Sequence, residues 1–109
     1  MTIHRRPRPD IALFAVVLTT AAGAASGQSA NLLQARALAA TCASCHGTDG
    51  RAVQGEAMAP LAGLPKDYIV AQMQAFRDGS RPATVMHQIA KGYSTEQIES
   101  MASYFAARK

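Results

Sequence analysis

Two cysteines and a histidine stand together in the run Cys42-Ala43-Ser44-Cys45-His46. Thiols three residues apart lie along one helical turn, so both can reach the same edge of a flat ligand while the histidine binds a metal beneath it. This C-x-x-C-H spacing is typical of covalent c-type haem attachment. The motif therefore predicts Cys42 and Cys45 as the attachment points and His46 as an axial ligand of the iron.

The same cysteines could instead form a redox dithiol, half of a zinc site or a structural disulfide. A zinc site needs two further ligands at short spacing, and the other histidines, His4 and His87, are distant in the sequence. A thioredoxin-like dithiol needs alternating strands and helices around it, whereas the flanking stretches have a helical pattern and a Gly/Pro-rich loop. Haem attachment is the interpretation that we favour.

The second axial ligand separates electron carriers from proteins that bind oxygen or other small molecules at an open iron. Methionines after the motif stand at positions 58, 73, 86 and 101. Met73 and Met101 lie on predicted apolar helix faces, where methionine is usually core filler. Met58 follows His46 too closely to reach the opposite haem face easily. Met86, before the last helix, is the strongest candidate.

His87 is the rival of Met86, since an imidazole would bind iron more tightly and give a lower potential. One step along a helix turns the side chain by about 100°, so only one of the two can face the iron. We prefer Met86, with His87 exposed or facing a partner.

The first 27 residues predict a removed export signal. They have a basic head with three arginines, an apolar run over 11–18 and a small-residue tail over 21–27. The apolar run covers about ten residues against the roughly twenty that span a bilayer, which disfavours a membrane anchor. Cleavage is expected near Ala24 or Gly27, with export to the periplasm and no stable membrane insertion afterwards.

Residues 28–109 then form a single domain, near the lower size limit for a self-sufficient core. A covalently held haem would supply the missing apolar volume. Eight Lys and Arg against six Asp and Glu give this span a net charge of +2, compared with +4 for all 109 residues. Such a modest charge gives no indication of nucleic-acid binding.

Apolar spacing predicts a first helix over about Leu32–Thr41, followed by a Gly/Pro-rich loop over Gly47–Gly63. A second helix has Pro65 in its first turn and ends at Asp78 and Gly79. One face of this helix comprises Ile69, Gln72, Met73 and Phe76.

A short helix is predicted over Val85–Lys91, ending at Gly92. The last helix begins at a capping box formed by Ser94 and Gln97. Its apolar face then comprises Ile98, Met101, Ala102 and Phe105. With no strand pattern, the predicted fold class is all-α, with helices wrapped around one flat cofactor.

These elements occur in a familiar order: CASCHG, then APLAG, then a methionine in TVMHQIAKGYS, then a closing helix ending in ASYFA. Over essentially all of residues 28–109 this order resembles the class I cytochromes c. The longer string YIVAQMQAFRDGSRPATVMHQIAKGYSTEQI resembles the haem subunit of flavocytochrome c sulfide dehydrogenase.

The resemblance implies the small class I cytochrome c fold around one haem c. Cys42 and Cys45 then form the thioethers, while His46 and Met86 are the proximal and distal iron ligands. The carbonyl of Pro60 would accept a hydrogen bond from His46, which orients the ring.

The resemblance also implies that the first and last helices cross, with Ala39 against Tyr104 or Phe105. Alanine rather than the commoner glycine at this crossing leads us to expect slightly wider spacing.

The expected function is single-electron transfer by a periplasmic mono-haem protein with no catalytic residues of its own. Partners would be redox proteins, including a flavoprotein subunit if the chain is the haem subunit of a sulfide dehydrogenase. The alternatives are a free-standing shuttle to a terminal oxidase, a small haem peroxidase or a gas sensor. The last two require an open or displaceable sixth ligand.

Overall fold

A computed structural model of the chain describes residues 21–55 and 58–109. The basic head and apolar run of the proposed export signal lie outside the described residues. The described part contains no strand, which agrees with the predicted all-α class. Its elements are helices α1 (Ala21–Ala40) and α2 (Ala43–His46), a 3-10 turn (Thr48–Gly50), and helices α3 (Lys66–Asp78), α4 (Met86–Lys91) and α5 (Thr95–Ala106).

Helix α1 begins well before the predicted start at Leu32 and includes both predicted cleavage positions. The alanine-rich sequence from Ala21 onward contains no proline, so nothing in it ends a helix. Among residues 27–40 of α1, those from Gly27 to Gln34 are exposed and the first buried residue is Ala35. Within that range, packing against the rest of the domain therefore begins at Ala35. Among the described helices, none has the length and apolar character that crossing a bilayer requires.

Helix α3 ends where the sequence predicts. Gly79 adopts a left-handed conformation with φ 82°, and the carboxylate of Asp78 accepts a hydrogen bond from the backbone N–H of Ser80 at 2.8 Å. Pro65 is the N-cap residue and Lys66 begins the helix, so proline stands one position earlier than predicted. Proline suits the start of a helix because its φ is fixed and because no intrahelical N–H donor is needed there.

Helices α4 and α5 also match their predicted bounds closely. Val85 is the N-cap of α4, and Gly92 follows its last residue. In the capping box of α5, the hydroxyl of Ser94 accepts from the backbone N–H of Gln97 at 3.2 Å. In return, the side-chain Oε1 of Gln97 accepts from the backbone N–H of Ser94 at 2.9 Å. Such a cap contributes about 1 kcal/mol.

Helix α5 supplies most of the buried core. Its buried side chains are Ile98, Met101, Ala102, Tyr104 and Phe105. Helix α1 adds Ala35 and Ala39, which belong to the same cluster as Tyr104 and Phe105, as the predicted helix crossing requires. Helix α3 adds only one buried residue, Ile69. Val70 and Met73 of α3 are partly buried against the same core cluster, and Met73 and Phe76 also line a cavity.

Candidate functional site

A cavity of about 340 Å³ lies between α2, the stretch 58–64 and the three helices that follow. Its walls are predominantly apolar. Leu61, Leu64 and Met73 line it and are only half-buried, although each packs against the buried core on its other side. Apolar surface left open in this way favours a ligand that is itself largely apolar.

Helix α3 presents its predicted apolar face to this cavity. Ile69, Gln72, Met73 and Phe76 all line it. Only Ile69 is buried, because the cavity lies where further packing partners would stand in a closed core. The periodicity of the sequence therefore identified the correct face of α3, which serves as a cavity wall.

Cys42 and Cys45 both line the cavity as free thiols, Cys42 half-buried and Cys45 exposed. The short helix α2 places them on one wall: the N–H of Cys45 donates to the carbonyl of Cys42 at 3.3 Å. Burial raises the pKa of the Cys42 thiol, against an opposing hydrogen bond from Thr41. Both sulfurs are thus presented to the same edge of the cavity.

The ring of His46 also lines the cavity, and its orientation is fixed from behind. Its Nδ1–H donates to the carbonyl oxygen of Ala59 over 2.6 Å. With Nδ1 occupied in this way, Nε2 carries the free lone pair that can bind a metal.

The acceptor of this hydrogen bond is Ala59, not the predicted Pro60. Proline restricts the residue before it to extended backbone conformations. Since the ψ angle of Ala59 sets the direction of its carbonyl, Pro60 acts on His46 by limiting that angle. The sequence correctly located the loop segment but assigned the acceptor one residue too late.

Met86 and His87 face different cavities. Met86, the first residue of α4, is half-buried and lines the cavity that contains the two thiols. His87 lines a second cavity of about 310 Å³, together with Arg77 and Lys91, and its buried Nδ1 has no hydrogen-bond partner among the described residues. The structure therefore places the thioether, and not the imidazole, on the same cavity as His46.

The other methionines after the motif line this cavity as well. Met101 is buried, and Met73 packs against the same core cluster, as expected for core filler. Met58 is 44% exposed and stands in the loop before Ala59. Met86 differs from all three in being the first residue of helix α4.

Several cavity residues were not predicted from the sequence. Thr41 and Tyr93 line it, and their hydroxyl oxygens lie 2.7 Å apart, which joins the end of α1 to the α4–α5 connection. Arg81 is the one lysine or arginine among the described residues that line it, with its guanidinium 4.7 Å from the ring centre of Phe76 and hydrogen-bonded to Gln72. Arg81 and Tyr93 are remote from the motif in sequence, and no short spacing links them to it, whereas Thr41 directly precedes Cys42.

The loop behind His46 is held by a close contact at Gly50. The carbonyl of Gly50 accepts from the N–H groups of Leu61 at 2.8 Å and of Ala62 at 3.1 Å. Gly50 has φ 75°, and a Cβ there would stand 2.9 Å from the ring of Phe105. A glycine at this position therefore lets the haem-motif segment and the loop around Ala59 approach α5.

Comparison with known proteins gives a consistent result. The model of the family described as Cytochrome c matches residues 34–108, more than half of the chain. A protein of Halomonas halodenitrificans named cytochrome c-554(548) is 36% identical over 76 residues, which cover 63% of this chain and 86% of that protein.

Two relatives have names that refer to sulfur compounds. The cytochrome subunit of sulfide dehydrogenase from Chlorobaculum tepidum is 41% identical over 68 residues, covering 62% of this chain and 60% of the relative. The thiosulfate dehydrogenase electron acceptor of Thiomonas intermedia is 38% identical over 71 residues, covering 65% of this chain and 33% of the relative. The chain thus spans less than two thirds of the length of either of these relatives.

Proposed function

The chain belongs to the cytochrome c family, whose members carry covalently attached haem c, and we propose that residues 42–46 are the attachment site of that haem. Cys42 and Cys45 would form the two thioethers, and His46 would bind the iron through Nε2. The observation that carries this proposal is the His46 to Ala59 hydrogen bond, which engages Nδ1 and leaves Nε2 as the nitrogen available to the cavity that the two thiols line.

The walls of the cavity fit a haem. They combine apolar side chains, two thiols on one helical turn and an imidazole with one nitrogen already bonded. Bound haem supplies an iron that takes up and releases one electron at a time.

As a member of this family the chain is a mono-haem electron carrier. We propose Met86 as the second axial ligand, because it lines the cavity whereas His87 does not. A thioether leaves no position for substrate at the iron and favours its ferrous state. The role of the polypeptide is then to exclude water and to hold both ligands, with no acid, base or nucleophile required.

An optical spectrum tests this assignment. The ferric protein should show the sulfur-to-iron charge-transfer band of methionine ligation, and the ferrous protein should bind carbon monoxide slowly or not at all. Absence of the band, with rapid carbon monoxide binding, would point instead to a peroxidase or a gas sensor.

We further propose that the electron donor is an enzyme that oxidises an inorganic sulfur compound. The names of the Chlorobaculum and Thiomonas relatives support this class of donor. Within it, we propose that the chain is the haem subunit of a flavin-dependent sulfide dehydrogenase, so that the chemistry on sulfur belongs to the flavoprotein. The alternative is a free-standing shuttle to a terminal oxidase.

Purification under mild conditions distinguishes these two roles. A haem subunit should co-purify with a flavin-containing polypeptide in a fixed ratio of flavin to haem. A free-standing shuttle should elute alone and exchange electrons with several partners by collision.

Residues 28–109 are proposed as the mature domain, exported to the periplasm after cleavage near Ala24 or Gly27. The burial pattern supports this boundary, since the residues from Gly27 to Gln34 are exposed and Ala35 and Ala39 are buried. Mass spectrometry of the periplasmic protein tests both parts, because it gives the new N-terminus and the added mass of one haem.

A further inference from the structure

We propose that Tyr104 is a positioning residue for the ring of His46, acting through Asp49 and the loop that contains Ala59. This inference rests on the proposed role of His46 as an iron ligand. It goes beyond that role by assigning to the closing helix α5 an influence on the potential of the iron.

The first contact joins α5 to the segment after the haem motif. The hydroxyl of Tyr104 donates to a carboxylate oxygen of Asp49 over 2.5 Å, and only 4% of Tyr104 is exposed. Asp49 has φ 55°, an uncommon conformation for a residue with a side chain. It also forms an ion pair with Arg51 at 3.5 Å. Two side chains thus hold Asp49 in a backbone conformation that costs free energy.

The second contact carries this constraint to the loop. Gly50 follows Asp49 directly, and its carbonyl accepts the hydrogen bonds from Leu61 and Ala62. Ala59 stands two residues before Leu61, so its carbonyl belongs to the segment that Gly50 anchors. A change in the direction of the Gly50 carbonyl would therefore be transmitted to the acceptor of His46.

Helix α5 holds the same loop at a second point. The N–H of Gly63 donates to the carbonyl of Phe105 at 3.0 Å. Tyr104 thus holds Asp49, which directly precedes Gly50, while the carbonyl of Phe105 holds Gly63. Removing the Tyr104 hydroxyl should loosen the contact at Asp49 while the Phe105 contact remains.

The charges around Tyr104 favour its hydrogen-bonded form. The bond from Tyr104 lowers the pKa of Asp49, and the same bond raises the pKa of the Tyr104 hydroxyl. The Arg108 guanidinium lies 3.9 Å from the ring centre of Tyr104. At neutral pH the contact is therefore between a phenol and a carboxylate, which makes it stronger than a bond between two neutral groups.

A hydrogen bond donated by Nδ1–H increases the basicity of a histidine ligand and stabilises the more highly charged metal. If Tyr104 helps to position the Ala59 carbonyl, loss of its hydroxyl should weaken that bond and favour the ferrous iron. At a fixed ambient potential, we expect Tyr104→Phe to shift the ferric-to-ferrous ratio about threefold toward ferrous. This shift is smaller than the one expected for loss of a direct hydrogen-bond partner of His46.

The experiment compares reduction potentials of the haem-loaded proteins. Tyr104→Phe removes one hydroxyl and no charge. Ser103→Ala is the matched control, since it removes a hydroxyl of α5 that bonds to the carbonyl of Glu99 on the exposed face. Both variants should lose some stability, but only Tyr104→Phe should change the potential.

Two variants of Asp49 separate the hydrogen bond from the charge. Asp49→Asn and Asp49→Ala both remove the charge, but Asn keeps an acceptor for Tyr104 and tolerates positive φ. Adding Tyr104→Phe should therefore shift the potential in the Asn background and leave it unchanged in the Ala background. If Tyr104→Phe folds poorly, the two single variants carry the test, because the potential of Asp49→Ala should then exceed that of Asp49→Asn, which keeps an acceptor for Tyr104.

Amide hydrogen exchange gives a second readout. Exchange at Leu61 and Ala62 should accelerate in Tyr104→Phe and not in Ser103→Ala, since those amides bond to Gly50. A destabilised Tyr104→Phe protein with the wild-type potential would overturn the positioning role and leave the carrier function standing. A wild-type spectrum without histidine ligation would overturn both.

Discussion

Met86 and His87 are neighbours at the start of α4, yet their side chains line two separate cavities. Met86 faces the cavity of the thiols and His46, and His87 faces one shared with Arg77 and Lys91. A rotation of about 100° per residue accounts for the separation. The chain therefore presents a thioether to the cavity of His46 at this point, while the neighbouring imidazole faces away from it.

We predict that Met86→Ala lowers the reduction potential and opens the iron to external ligands. The thioether favours the ferrous state, so its loss stabilises the ferric state. The measurements are a redox titration, the charge-transfer band of the ferric protein and carbon monoxide binding by the ferrous protein.

His87→Ala is the control for this substitution, because His87 does not line the proposed haem cavity. It should retain the band and the low reactivity toward carbon monoxide. If Met86→Ala instead keeps a wild-type spectrum, the ligand is Met58 or His87.

We also predict that Cys42→Ser and Cys45→Ser each reduce the yield of haem-loaded protein to about a tenth or less, by analogy with the loss of other essential cofactor contacts. Without a tethered haem the apolar walls of the cavity face water, so the polypeptide should fold poorly. Haem absorbance per mass of exported protein measures the effect.

Ser44→Ala serves as the control. Ser44 stands between the two cysteines, and its exposed hydroxyl forms no bond to the haem. The variant should keep a normal yield. A serine variant of either cysteine that accumulates as folded, haem-free protein would contradict the idea that haem completes the core.

Much of the fold follows from local signals in the sequence. The end of α3 at Gly79 and the capping box at Ser94 depend on residues within one helical turn, and both were predicted correctly. The face of α3 that lines the cavity follows from apolar periodicity. The rotation of about 100° per residue also predicts that Met86 and His87 face different directions, and they line different cavities.

Contacts between distant segments could not be predicted in this way. Asp49 and Tyr104 are 55 residues apart, and no local pattern indicates that they meet. The acceptor at Ala59 depends on the direction of one carbonyl, which the sequence fixes only through the following proline. The early start of α1 was missed because the same alanine-rich residues are typical of an export signal.

Gly50→Ala should destabilise the haem-loaded protein by about 2 kcal/mol, through positive φ and through crowding of a tightly packed site. A Cβ at this position would lie 2.9 Å from the backbone nitrogen of Ala62 and 2.9 Å from the Phe105 ring. Denaturant unfolding monitored by haem absorbance measures the change.

Gly55→Ala separates the two causes. Gly55 also has positive φ, at 91°, but a Cβ there would meet nothing within 4 Å. It should show the conformational cost alone and remain more stable than Gly50→Ala. Equal losses of stability in the two variants would show that crowding of the added Cβ against α5 contributes nothing to the destabilisation of Gly50→Ala.

The decrease in the free energy of unfolding at acid pH should depend on Tyr104. Its hydrogen bond lowers the pKa of Asp49 in the folded protein, so the unfolded protein binds this proton first as pH falls. The stabilisation is present above the ordinary carboxyl pKa of about 3.9 and is lost as pH falls through the lower folded value.

In Tyr104→Phe the folded pKa of Asp49 should return toward its ordinary value, which removes most of that pH dependence. The difference in unfolding free energy between the two proteins should therefore shrink as pH falls from about 4 toward 2. Unfolding curves in urea across this range give the difference. A constant offset at every pH would mean that Asp49 titrates alike in both proteins.

Pro60→Ala tests how the loop orients the ring of His46. Proline limits the backbone of Ala59, whose carbonyl accepts the Nδ1 hydrogen bond at 2.6 Å. With alanine at position 60 the acceptor becomes more mobile, so the potential should rise and stability should fall by about 1 kcal/mol. Pro82→Ala is the control: this proline is exposed and lines the second cavity, so it should reproduce the entropic loss of stability but not the change in potential. If both variants leave the potential at the wild-type value, the orientation of Ala59 does not depend on the proline that follows it.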